Sequence, residues 1–313
     1  MKKYFPYIMC IVLGYLEFRI IWCIQVPNAI TIVNETLSVL SGNPFWRAYQ
    51  NRLMSGFIIQ QISTVFSITD IRAYQVVGLF MCSISNIAAY HAFKKSLHNV
   101  MYFIVAFIFL QSGREFYAWD YFDLLFFTLL ALGISQRKSI FYFTVLFFAA
   151  IFNRESALFI PLWLVIDGSF GTTNWKKILF GICLILCGVF IVTFLREHLF
   201  IASHMERIGV DESHQFFGNH FCLTDNILSL SHDKIFYDFD FMKYIVAGFI
   251  FWIVLRTWKD ATIQHYKIVV FIISLIASNV CFALINETRV WFTLIPICLM
   301  YYTFEGETAE QEL

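Results

Sequence analysis

The chain is short of charge. Asp, Glu, Lys and Arg make up 14% of its 313 residues, against about 25% in a soluble domain, and that deficit excludes an ordinary soluble globule. A hydrophobic content of 59% and a mean hydropathy of +0.68 point the same way, to a polytopic membrane protein. Neither sign of charge is in excess. A formal net charge of +0 argues against a nucleic-acid binder, which needs a basic face, so no nucleic-acid partner is expected. The eight cysteines are scattered, mostly within apolar runs, and only Cys222 lies in a long polar segment. There is no CxxC pair and no disulfide framework. Cys183 and Cys187 stand one helical turn apart inside an apolar run, where packing is the natural reading. No metal and no cofactor is expected. A cleavable leader is missing too: Lys2 and Lys3 precede an apolar run, but no small-residue cleavage site follows, and Glu17 and Arg19 interrupt it. That pattern predicts an uncleaved first helix.

What the chain has is apolar runs. A helix needs roughly 20 apolar residues to cross a bilayer, fewer when it is packed or the bilayer is locally thinned. Runs at 7–26, 74–93, 100–110, 119–134, 140–151, 157–166, 178–195, 244–255, 268–285 and 290–301 predict about ten spans. The expected fold is an all-α polytopic transmembrane helical bundle, a single integral membrane domain over residues 1–313. Residues 28–72 form an extracytoplasmic, interfacial segment. Within it Leu53, Phe57, Ile58, Ile62, Val65 and Phe66 fall at helical spacing with Gln60, Gln61 and Ser63 between them, which suits a helix lying in the interface. Residues 196–241 are the large polar stretch, with His204, His214, His220 and His232 but no ligand spacing. They predict a solvated extracytoplasmic loop with short helices over the bundle, part of which could cover a substrate. Glu17 and Arg19, two apart, do not face each other on a helix. Each pairs with another helix to hold the bundle, or takes part in a buried polar site.

Orientation follows from the lysines. With Lys2 and Lys3 in the cytoplasm and each run crossing once, Lys94-Lys95, Arg137-Lys138, Lys176-Lys177 and the 256–267 loop all fall on the cytoplasmic side, as the positive-inside rule requires. Both termini are then cytoplasmic, and a bacterial plasma (inner) membrane fits. The opposite face receives Arg47 and Arg52, Arg114-Glu115 with Asp120, Asn153-Arg154-Glu155, the histidine-rich loop, and Glu287 with Arg289. One face is thus marked by lysine, the other by arginine beside carboxylate.

The centre of that outer set is Phe152-Asn153-Arg154-Glu155-Ser156, a charged turn between the runs 140–151 and 157–166. Each run is too short to cross about 30 Å alone, so the two either continue as one kinked helix or meet at a sunken cavity. Ion pairs at helix ends can simply bridge helices. Arginines near a bilayer surface can also hold a phosphate of the headgroup layer and stabilise it as a leaving group, while a carboxylate takes a proton from an incoming hydroxyl. Those roles assign Glu155 and Asp120 as catalytic candidates, and Arg154, Asn153, Arg52, Arg47, Arg114, Glu287 and Arg289 as substrate-binding candidates. Asp120 and Asp123, three apart, share a helical face.

The interfacial stretch Tyr49-Gln50-Asn51-Arg52-Leu53, then Trp119-Asp120-Tyr121-Phe122-Asp123-Leu124, then Asn153-Arg154-Glu155-Ser156-Ala157-Leu158, and Glu287-Thr288-Arg289 before a proline-containing span, together resemble polytopic membrane enzymes of the GT-C glycosyltransferase superfamily. The resemblance spans most of the chain on short motifs. It implies a lipid-linked (polyprenyl-phosphate) sugar donor, a glycan or lipid acceptor, and an extracytoplasmic active site serving a cell-surface polysaccharide. Such enzymes typically carry an acid in the first outer loop. Here Glu35 and Asp70 are the acids available before the second span, and no Asp-x-Asp occurs. Two other classes share the topology: an O-antigen or capsule polymerase, and a non-enzymatic transporter or flippase. Glu17 and Arg19, if accessible from both sides, would favour transport.

Overall fold

The computed structural model describes residues 3–41, 52–110, 116–198, 215–216, 219–220, 223, 226, 262–283 and 291–310. Its elements are α1 (Phe5–Gln25), a 3-10 turn (Val26–Asn28), α2 (Ala29–Ser38), α3 (Leu53–Phe66), α4 (Asp70–Ala92), α5 (Leu97–Leu110) and α6 (Ala118–Ser135). Then follow α7 (Ile140–Ile151), a 3-10 turn (Glu155–Leu158), α8 (Phe159–Ser169), α9 (Trp175–His198), α10 (Ile263–Phe282) and α11 (Leu294–Glu310). The one sheet among the described residues is a two-residue pair, β1 (Gln215–Phe216) antiparallel to β2 (Asn219–His220). It lies in the 196–241 stretch, in which Leu223 and Asn226 are helical.

Five described stretches are long and apolar enough to cross a membrane: Phe5–Ser38, Asp70–Ala92, Ala118–Ser135, Trp175–Arg196 and Ile263–Phe282. This is the build of a helical membrane protein. Five is fewer than the ten runs read from the sequence. The helices at Leu97–Leu110, Ile140–Ile151 and Leu294–Thr303 are shorter, and the run 244–255 lies outside the described residues. The run 7–26 corresponds to α1, which ends at Gln25 just before Pro27; the chain then turns through one 3-10 turn and continues as α2. Proline is tolerated there because the first turn of a helix has no use for its missing N–H. Leu53–Phe66 is helical as the periodicity predicts, and it buries Ser55, Gly56 and Ile59 while Phe57, Val65 and Phe66 stay exposed.

Around an apolar core, large apolar side chains also face outward while a few polar ones are buried. Ile8, Ile11 and Leu16 of α1, Val105 and Phe109 of α5, and Leu186 and Phe190 of α9 face outward, whereas Glu17, Gln25, Asn86, Asp120, Asp123 and Asn153 are buried. Lipid does not drive apolar side chains inward, so close backbone approach and internal hydrogen bonds hold such helices together. At Gly14 a Cβ would stand 2.7 Å from Ser83 Cα, and at Gly181 one would stand 2.9 Å from the Pro161 carbonyl. These glycines let α1 approach α4, and α8 approach α9. Glu17 accepts from Asn86 Nδ2 at 2.9 Å across the first of those contacts. Arg19 instead lines an outward groove with Arg72, so the two charges of the first span serve different neighbours.

α6 is the centre, buried nearly all round. Its start is beside the start of α4: the Tyr74 and Tyr121 rings lie 6.2 Å apart, and Tyr74 Oη donates to the Phe116 carbonyl at 3.4 Å. α6 and α7 form one antiparallel hairpin and α7 and α8 the next. Ser67, Lys94 and Arg137, all at positive φ, follow α3, α4 and α6, and the next N–H of each turns back to Ser63, Tyr90 or Gly133. These are left-handed helix caps, and at α4 and α6 they leave cations near the negative pole of the helix dipole.

Candidate functional site

The charged turn is the tip of the α7–α8 hairpin. The helix does not run through it. α7 ends at Ile151, Arg154 is fully extended (φ −165°, ψ 154°), and Glu155 begins the 3-10 turn that leads into α8. The break turns the side chains of Asn153, Arg154, Glu155 and Ser156 toward three other elements.

The first is the start of α6. Asp120 accepts the Tyr117 N–H at 3.0 Å with one carboxylate oxygen, an N-terminal cap, and meets Arg154 Nη1 at 3.2 Å with the other. Asp123, one turn on, takes the same Nη1 at 3.4 Å and the Ser156 hydroxyl at 2.9 and 3.0 Å. Asn153 Nδ2 donates to the Trp119 carbonyl at 2.9 Å and reaches Asp123 Oδ1 at 3.5 Å. Asp120 and Asn153 are wholly buried. A buried carboxylate is tolerable only when paired and hydrogen-bonded, and here one guanidinium, one hydroxyl, one amide and one backbone N–H serve two.

The second element is the start of α3. Met54 N–H donates to the Phe152 carbonyl at 3.0 Å, tying the hairpin tip to α3. Just before it, the buried Arg52 guanidinium lies 5.0 Å from the Trp119 ring centroid, a cation–π distance. Trp119 itself stacks on Tyr117 at 4.4 Å. The third is the end of α9, where buried Arg196 donates to Glu155 Oε1 at 2.5 Å. Burial alone would raise the pKa of Glu155, but Arg196, Arg52 and Arg154 outweigh it and hold the carboxyl below its ordinary 4.5. Glu155 is therefore ionised at neutral pH. Its side chain is 19% exposed, while its Oε2 and Asn153 Oδ1 are buried atoms without a hydrogen-bond partner among the described residues.

Of the nine candidates, Glu155, Asp120, Arg154, Asn153 and Arg52 come together at this one end of the bundle. Arg47, Arg114, Glu287 and Arg289 lie outside the described residues. Asp123, Ser156, Trp119 and Arg196 belong to the cluster but were not among the candidates. Asp123 was signalled by its spacing from Asp120. Arg196 carried only the signal of ending an apolar run. The 196–241 stretch also touches this end, because Asn226 Nδ2 donates to the Val280 and Ala283 carbonyls at the end of α10, both at 2.7 Å. Among the described residues no three His, Cys, Asp or Glu side chains converge as a metal site. Compared with protein-family models, with curated proteins and with solved structures, the chain matches none of them.

Proposed function

We propose that the protein transfers a sugar from a polyprenyl-phosphate-linked donor to an extracytoplasmic glycan or lipid acceptor, with ten crossings and the arginine-bearing end outside the membrane. The observation that carries this reading is the gathering of three arginines at the broken tip of a helical hairpin: Arg196 paired with Glu155, Arg154 with Asp120 and Asp123, and Arg52 over the Trp119 ring. A phosphate brought to that tip from the headgroup layer meets guanidiniums in a poorly hydrated setting, where charge-assisted hydrogen bonds are strongest. Glu155 is the base: ionised, held through one oxygen by Arg196, with the other left to accept the proton of an acceptor hydroxyl. The acceptor oxygen then attacks the anomeric carbon, the carbon–phosphate oxygen bond breaks, and polyprenyl phosphate leaves with its charge held by arginine. Asp120 and Asp123 have a positioning role, because their oxygens are taken up by Arg154, Ser156, Asn153 and the α6 cap.

The test is to delete the gene in its host, complement with wild type or Glu155→Gln at equal membrane abundance, and weigh the surface glycans by mass spectrometry. The expected result is a repeat unit lighter by one sugar or one branch, restored by wild type and not by Glu155→Gln. General-base removal costs about 10²–10⁴ in rate. Single intact units without long chains would instead indicate a polymerase, and unchanged glycans in the deletion strain would overturn the transferase reading.

A further inference from the structure

The other end of the bundle carries a site of opposite character. The close of α6, the start of α7, the end of α8 and the first turns of α9 and α10 surround a cavity of about 620 Å³, lined among others by Arg137, Lys138, Lys177, Lys267, Asp167 and Trp163. Four cations face one carboxylate. That carboxylate is already shared: Lys267 Nζ lies 2.6 Å from Asp167 Oδ1, and Lys177 pairs with Oδ2. Asp167 follows the apolar run that ends at Ile166; burial would raise its pKa, but the hydrogen bonds and charges of the two lysines hold it below the ordinary 3.8. Asp167 therefore stays ionised and anchors the two lysine side chains in the cavity wall. Arg137 and Lys138 have no ion-pair partner among the described residues and are exposed at the cavity. A concave, half-apolar surface lined by unbalanced charge of one sign concentrates ligands of the other, and the volume falls within the usual range for small-molecule sites, about 300–1,000 Å³.

We propose that this cavity binds a phosphate group, with Arg137 and Lys138 taking its oxygens, Lys177 and Lys267 completing the positive wall, and Trp163 meeting the apolar part of the ligand. The inference is independent of the reaction assigned to the other end. The same chemistry has two sources, an anionic lipid headgroup and a soluble phosphate ester, and separate arms of one experiment distinguish them.

The full chain is purified into phosphatidylcholine nanodiscs. One arm titrates it with inorganic pyrophosphate by calorimetry. The other adds phosphatidylglycerol and counts retained lipid by native mass spectrometry. Wild type is expected to bind at least one of the two probes saturably, and the arm that responds names the source. Arg137→Gln with Lys138→Gln, both at exposed positions, is expected to weaken that binding about tenfold or more. Lys94→Gln with Lys95→Gln removes the same charge from the end of α4, outside the cavity lining, and is expected to leave binding unchanged. Three results overturn the site: neither probe binds, the Arg137/Lys138 variant binds like wild type, or the Lys94/Lys95 variant loses as much. The last would mean diffuse attraction to a basic surface and not a built cavity.

Discussion

The two ends of the bundle hold similar numbers of charges and use them in opposite ways. At the Arg154 end, guanidiniums and carboxylates are nearly matched and several are fully buried: Asp120, Asp123, Arg52 and Arg196 among them. At the Lys267 end, cations outnumber the single carboxylate and stand around an open cavity. Residue type follows the setting. Arginine has a planar fork that serves two carboxylates at once and is weakly hydrated, so it tolerates burial; lysine is a strongly hydrated point charge that prefers the water side. A matched, dry cluster is rigid and expensive to disturb, whereas an unbalanced, wet one is cheap to alter.

The sharpest way to break this comparison is Arg154→Ala. It strands Asp120 and Asp123 in the core, and removing one partner of a buried pair costs about 3–5 kcal/mol. A fall of that size is expected in chemical or detergent unfolding. Adding Asp123→Asn to Arg154→Ala should recover part of it, with a coupling of about 1–3 kcal/mol in the double-mutant cycle. Strict additivity would mean that the pair does not interact. Next in size is Asn153→Ala, which deprives the Trp119 carbonyl and Asp123 of a donor and is expected to cost about 1–3 kcal/mol. Lys267→Ala at the other end should cost under about 1 kcal/mol, because Lys177 still serves Asp167 and water reaches both lysines. An equal loss at the two ends would erase the distinction drawn between them.

The smallest effect is on pH. Glu155 has a folded pKa below its ordinary 4.5, so the unfolded chain takes up the proton first. The stabilisation is complete above about pH 4.5 and is lost as pH falls through the lower folded value. Thermal stability in detergent should therefore be flat near neutrality and decline on acidification, and Glu155→Gln should blunt that decline. A profile identical in the variant would show that Arg196 does not depend on Glu155 for its charge balance.

Much of this organisation is legible along the chain. Ile140–Ile151 is a helix with the bounds its apolar run implies, because burial in lipid and the 3.6-residue period both act locally. The charged turn at Asn153–Ser156 is visible for the same reason: polar residues interrupting an apolar run are conspicuous. The continuation of the chain as α2 beyond Pro27 was not visible, since proline ends or begins a helical turn according to the neighbours it meets. Nor was the saturation of Asp120, which as a bare carboxylate beside Asp123 looks available for chemistry and in the fold is a helix cap and an ion-pair partner.

Local sequence set the class of protein, most of its apolar helices, and the separation of lysines from paired arginines, since each of these depends on residues close together in the chain. Tertiary structure decided which charge meets which. Arg154 reaches Asp120 across 34 residues, Arg196 reaches Glu155 across 41, and Asn86 reaches Glu17 across 69. Those pairings depend on the rotation of each helix about its axis and on how closely glycines let backbones approach, quantities that emerge only when all the helices are packed together.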